Sequence, residues 1–268
     1  MVKNKKSKKR LNNNKKYRTK KKYFQKGKGS TKLCFIITCY IPNNLKVYID
    51  YSINKINELY PNSTIILVDN NSENKDYFNQ FKEINNIILL ENSSEQKYEI
   101  GAYNCAIDYI IKNNLTFDYY ILLQDSVFPN KKYDFNLLNG IQCSIIYRIG
   151  ESSMWFGNEE LKNKCKDILK TMNVDNINYD GCRDSSFISN HETLKKINML
   201  TRNVIVKDKS DSIACERWLG ILIQALNNNN PILIDGYIAD EKYDVRDVNI
   251  SKAQNIDHFF IKKSLGRI

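Results

Sequence analysis

Apolar side chains along this chain recur in two rhythms. The first is a short unbroken run closed by turn residues. Lys32 to Tyr40 is such a run, stopped by Pro42-Asn43-Asn44. Thr64 to Asp69 is a second, running into the polar stretch Asn70 to Asn74. Ile87 to Leu90 and Tyr119 to Leu123 are a third and fourth, the last entering Gln124-Asp125-Ser126. Runs of this length without alternation predict strands buried on both faces. The second rhythm is helical. Val47–Leu59 carries apolar or aromatic residues at 48, 49, 53, 56 and 59, and Pro61-Asn62-Ser63 ends it. Residues 74–83 predict a short helix. Residues 99–113 predict a longer one, with Ala102, Ala106, Ile107, Ile110 and Ile111 on one face.

The second half is less regular. Ile141–Ile146 reads as a strand, Glu159–Met172 as a helix and Asn178–Ser189 as mixed loop and strand. Glu192–Met199 and Ser212–Leu226 read as helices, and Ile232–Ile234 as a late strand. On the last helix Ile213, Trp218, Leu219, Leu222, Ile223 and Leu226 form the expected buried set. Strands separated by helical segments predict an α/β protein with a doubly wound, mainly parallel sheet. With no internal repeat or linker after residue 32, residues 33–268 read as one domain.

Charge sharpens this picture. Of 41 Lys and Arg in the 268 residues, 15 fall within residues 1–32, which hold no Asp or Glu. The rest has 26 basic against 30 acidic side chains, a formal −4, although the whole chain is +11. The expectation is a disordered basic tail ahead of a mildly acidic body, the tail suited to an anionic partner or to nuclear import. An acidic body argues against broad nucleic-acid binding, which would need a basic face. No apolar run approaches the roughly 20 residues of a membrane-spanning helix. No secretory signal is visible, so a cytoplasmic, intracellular location is expected. The seven Cys form no CxxC pair, so buried, reduced thiols are expected.

Chemistry in an open α/β sheet collects beyond the carboxyl ends of the strands. Three polar clusters stand there: Thr38 with Asn43, Asp69 with Asn70 and Ser72, and Asp125 with Ser126. Each alone is ordinary turn chemistry. Three on one sheet point to a ligand with hydroxyl and phosphate groups. No GxxxxGK[ST], GxGxxG after a strand or GxSxG is present, and His191 and His258 are the only histidines.

In this order the pieces resemble a GT-A type nucleotide-sugar glycosyltransferase of the family-2-like group. The segments concerned are Ile37-Thr38-Cys39-Tyr40, Ile66 to Ser72, Glu99-Ile100-Gly101-Ala102-Tyr103-Asn104 and Tyr119 to Ser126. The resemblance implies a GT-A like domain. It implies a donor site of Thr38, Asp69, Ser72, Gly101, Asn104, Gln124 and Asp125. It also implies a carbohydrate or protein acceptor and a divalent metal, Mn or Mg. In the place of the family's DxD motif stands Gln124-Asp125-Ser126, with one carboxylate. The metal ligands implied are Asp125 and His258. A transferase also needs a carboxylate to take the proton of the acceptor hydroxyl. Glu216, before Trp218, is the first candidate and Asp184 the second. An exposed Trp218 would suit a sugar ring. Arg183 and Arg217 are cations in the same region. Two other readings share this sequence: a GT-A like domain that only binds nucleotide, sugar or protein, and a nucleic-acid-associated protein acting through its basic tail.

Overall fold

The computed structural model describes residues 31–41, 49–138, 140–227, 236–238 and 258–262. The basic segment up to residue 30, the break at 42–44, the strand expected at 232–234 and Asp257 lie outside the described residues. The described residues belong to one compact unit.

In chain order the strands are β1 Leu33–Cys39, β2 Thr64–Asp69, β3 Ile87–Glu91, β4 Tyr119–Gln124, β5 Val127–Pro129 and β6 Cys143–Ile145. There follow β7 Arg148–Ile149, β8 Gly181–Cys182, β9 Phe187–Ser189, β10 Gly236–Ile238 and β11 Phe260–Lys262. The helices are α1 Ile49–Leu59, α2 Tyr98–Lys112, α3 Glu151–Met154, α4 Glu159–Thr171, α5 His191–Thr201 and α6 Lys209–Leu226. The short helix expected near 74–83 is a 3₁₀ turn, Lys75–Phe81.

The main sheet has six strands in the order β3-β2-β1-β4-β9-β6. The first four are mutually parallel. β9 runs antiparallel to both β4 and β6. The unbroken apolar runs are explained by burial on both faces. Cys34 and Ile36 of β1, Ile66 and Val68 of β2, and Tyr120 and Leu122 of β4 join the core with α2, α4, α5 and α6. Their alternating neighbours Phe35, Ile37, Ile65, Leu67, Ile121 and Leu123 face the other core, with α1. The expected α/β class, doubly wound and mainly parallel, is the class observed. Ile111, expected on the buried face of α2, is 40% exposed because that face is filled by Ile107 and Ile110.

Strand order reverses at β1. The chain goes from β1 to β2 and β3 on one side, then crosses to β4 on the other. The carboxyl ends of β1 and β4 therefore border a topological switch point, where a crevice opens in such sheets. Tight spots tie the second half to this edge. A Cβ at Gly220 of α6 would stand 2.4 Å from the backbone nitrogen of Cys182. Only glycine lets α6 lie directly on β8, and this fixes the loop that follows β8.

Among the described residues no helix is long and apolar enough to cross a membrane. All seven cysteines are free thiols, six of them buried.

Candidate functional site at the sheet's switch point

At the β1–β2 end, polar groups build the turn. The Ser72 N–H donates to Asp69 Oδ1 at 2.8 Å, and the Ile41 N–H donates to Ser72 Oγ at 2.8 Å. The local reading of Asp, Asn and Ser as turn formers holds here, since their side chains replace backbone partners. Asp69 and Ser72 are nonetheless at the strand ends, as expected, beside buried Thr38. Asp125 joins them across the switch point. Its N–H donates to the Thr38 carbonyl at 3.0 Å, and its Oδ2 accepts from the Tyr40 N–H at 3.3 Å. Asp69 and Asp125 both push the buried Cys39 thiol further above its usual range, after burial itself.

Gly101 and Asn104 have a different task. A Cβ at Gly101 would stand 2.1 Å from the Gln96 carbonyl oxygen. Asn104 donates to Gln96 Oε1 at 3.0 Å and accepts from Asn198 Nδ2 at 3.2 Å and Thr201 Oγ1 at 3.0 Å. This buried network joins α2 to α5. The glycine and asparagine of that stretch act in packing, and their engaged atoms face α5.

The β4 end leads into a second, deeper group. Gln124 Nε2 donates to Glu99 Oε1 in the first turn of α2. Lys262 Nζ donates to Gln124 Oε1 at 3.3 Å and forms an ion pair with Asp184 Oδ1. Glu216 Oε1 accepts from the Asp184 N–H at 3.2 Å, and its Oε2 pairs with Arg217 NH1 at 2.8 Å. Lys262 thus stands beside Asp184 and acts on Glu216, while Glu99 joins the group through Gln124. Burial first, then the Asp184 charge, raises the Glu216 carboxyl from its ordinary 4.5 to about 7. Burial likewise raises Glu99.

The backbone at this point is strained. Asp184 and Ser185 both lie in the left-handed region, at φ 58° and 50°. Each such residue costs about 1–3 kcal/mol and is held by its surroundings. Here the Glu216 carboxylate fixes the Asp184 N–H. Among the described residues three polar atoms nearby are buried with no hydrogen-bond partner: Asp184 Oδ2 and the hydroxyls of Tyr103 and Tyr147. The Asp184 charge acts on both tyrosines. Buried polar atoms are normally satisfied, so these three are exceptions concentrated around one loop.

Asp184, Glu216, Gln124 and Asp125 are therefore brought to one edge of the sheet. Trp218 is fully buried in the main cluster, as expected of the buried set of its helix, and so offers no platform to a sugar ring. Arg217 is engaged by Met154 O, Ile213 O and Glu216 Oε2, while Arg183 is exposed. The cation that reaches the centre is Lys262. β11 pairs antiparallel with β5, Lys262 opposite Val127 and Phe260 opposite Pro129. That register delivers Lys262 to the end of β4. His258 is four residues back along the chain, where its carbonyl accepts from Asn130 Nδ2 at 3.1 Å.

The donor chemistry for a divalent cation is poor. Hard cations prefer charged oxygens. At the position of the DxD motif, Gln124 offers an amide oxygen already facing an ammonium, and only Asp125 is a carboxylate. Among the described residues no three Asp, Glu, His or Cys are grouped to hold a metal ion. The residues around Gln124 do not fit a divalent cation.

Sequence reasoning missed Lys262, Glu99 and the two tyrosines. The one available signal was a lysine closing the apolar triplet Phe259-Phe260-Ile261.

No protein-family model matches the chain, and no curated protein matches it. Solved structures similar to it include two mannan-related enzymes. One is a mannosyltransferase, PcManGT from Pyrobaculum calidifontis, in complex with GDP-Man and Mn2+. It has 14% identity and a TM-score of 0.31, over 46% of this chain and 40% of that one. The other is core-mannan synthase A (CmsA/Ktr4) from Aspergillus fumigatus in its Mn/GDP form. It has 8% identity and a TM-score of 0.41, over 73% and 71%.

Proposed function

We propose that this chain is a glycosyltransferase using a nucleotide-sugar donor. One observation carries the reading: Lys262 contacts both Gln124 and Asp184. The strand-end segment suited to a diphosphate and the carboxylates suited to proton transfer thereby share one site. The switch point supplies the crevice for the nucleotide.

In this reading the base and ribose lie over β1 and β2, near Thr38, Asp69 and Ser72. Asp69 has one oxygen engaged by the turn, and its second oxygen can accept from a base or ribose hydroxyl. The diphosphate lies at Gln124 and Asp125. The acceptor, a carbohydrate or a protein, enters beside Asp184 and Glu216. The acceptor oxygen bonds to the anomeric carbon, and the bond from that carbon to the phosphate oxygen breaks. Its electron pair leaves with the nucleoside diphosphate. The acceptor proton passes to a carboxylate.

Asp184 takes that proton in preference to Glu216. Both Glu216 oxygens are engaged, by the Asp184 N–H and by Arg217, whereas Asp184 Oδ2 has no partner. Glu216 is then a positioning residue that holds the strained loop.

The test is a thermal-shift panel of UDP-, GDP-, ADP- and dTDP-sugars. At least one donor should raise the melting temperature, and Asp69→Ala and Asp125→Ala should remove the shift. No shift with any of them overturns the reading.

A further inference from the structure

We infer that Lys262 supplies the positive charge that stabilises the leaving nucleoside diphosphate, in the place where a divalent cation would otherwise act. The inference rests on the glycosyltransferase reading and deepens it.

Breaking the bond between sugar and diphosphate adds negative charge to the leaving group. A preorganised cation lowers the barrier only if it stands where that charge develops. Of the nearby cations, Arg217 is turned to Glu216 and to backbone carbonyls. Lys262 is the one whose ammonium lies against Gln124, the residue preceding Asp125. An ammonium has three donors. Among the described residues Gln124 Oε1 and Asp184 Oδ1 engage two, which leaves a third for a phosphate oxygen. The contact to Gln124 also explains a carboxamide where the resembled family carries a carboxylate. The amide oxygen accepts from the ammonium without neutralising it. With Asp184 already paired to the ammonium, a second carboxylate there would leave the group net negative beside the phosphates.

The same ammonium couples the two halves of the reaction. Touching both Gln124 and Asp184, it ties the carboxylate at the acceptor side to the strand end that holds the diphosphate.

Calorimetric titration of UDP, GDP, ADP and dTDP into the full chain tests this, in EDTA and again with Mn²⁺. The wild type should bind at least one of them in EDTA, with an affinity that Mn²⁺ changes less than threefold. Lys262→Met should weaken that binding in EDTA at least tenfold, and Lys262→Arg should keep most of it. Since Lys262→Met leaves Asp184 unpaired, the double variant Lys262→Met/Asp184→Asn is the control for folding. It should bind at least tenfold more weakly than Asp184→Asn alone. Binding that requires Mn²⁺ overturns the inference and leaves the glycosyltransferase reading standing. So does equal binding by Asp184→Asn and the double variant. If none of the four diphosphates binds under either condition, the glycosyltransferase reading itself falls.

Discussion

The Asp69–Ser72 turn and the Asp184–Glu216 loop carry the same kinds of residue and have opposite economies. At the first, each hydrogen bond serves the backbone: Asp69 holds the Ser72 N–H, and Ser72 holds the Ile41 N–H. At the second, the backbone is forced into two consecutive left-handed residues, and a carboxylate oxygen and two tyrosine hydroxyls are buried without partners. An acid at a strand end can serve its turn with one oxygen and keep the other for a ligand, whereas the Asp184 loop is marked by strain and unsatisfied polarity that the surrounding structure maintains.

This comparison is broken most forcibly at Asp184. Asp184→Asn should lower the transfer rate by about 10²–10⁴-fold, the usual range for a proton-transfer group. The melting temperature should fall, since the Lys262 ammonium loses its charged partner; the rate should fall by far more than the small loss of folded protein at the assay temperature explains. A rate within threefold of wild type would show that the loop's strain has no catalytic purpose. Next comes the support beneath the loop. Gly220→Ala forces a Cβ onto the β8 backbone and should cost about 1–3 kcal/mol or more. Denaturant titration would show it as a lowered midpoint, and donor turnover should fall with it. On the turn side, Ser72→Ala leaves the buried Ile41 N–H without its acceptor, at about 1–3 kcal/mol. There the damage should appear in stability, while the rate at saturating donor changes less than threefold.

The smallest effect is a pH dependence. The Glu216 carboxyl is raised from 4.5 to about 7. In that interval the folded chain holds a proton that the unfolded chain has lost. Stability from this group is complete below about 4.5, falls as pH rises through 7, and is lost above it. Glu216→Gln should flatten the melting temperature between pH 5 and 8 relative to wild type. Parallel profiles for the two proteins would show that Glu216 titrates normally.

Much of the scaffold was legible. β1 to β4 are runs apolar on both faces, so period and length identify them without tertiary information. α2 and α6 were legible for the same reason, although α6 begins at Lys209, where the Asp208 side chain caps the Asp211 N–H, rather than at Ser212. Asp125, Asp184 and Glu216 were legible as carboxylates near predicted ends. Which groups meet them was not. Lys262 reaches Gln124 across 138 residues of chain, and nothing local marks that pairing. Trp218 was legible as part of the buried set of α6, but the partners of Asn104 were not: its bonds to Gln96, Asn198 and Thr201 join α2 to α5, and packing partners rather than residue type decide such contacts.

The central claim is that the switch point binds a nucleotide sugar and that Asp184 acts after binding. Equilibrium titration of the best nucleotide sugar into wild type, Asp125→Ala and Asp184→Asn tests it most directly. The account predicts that Asp184→Asn binds no more weakly than wild type and that Asp125→Ala binds at least tenfold more weakly. Equal binding by wild type and Asp125→Ala would contradict it.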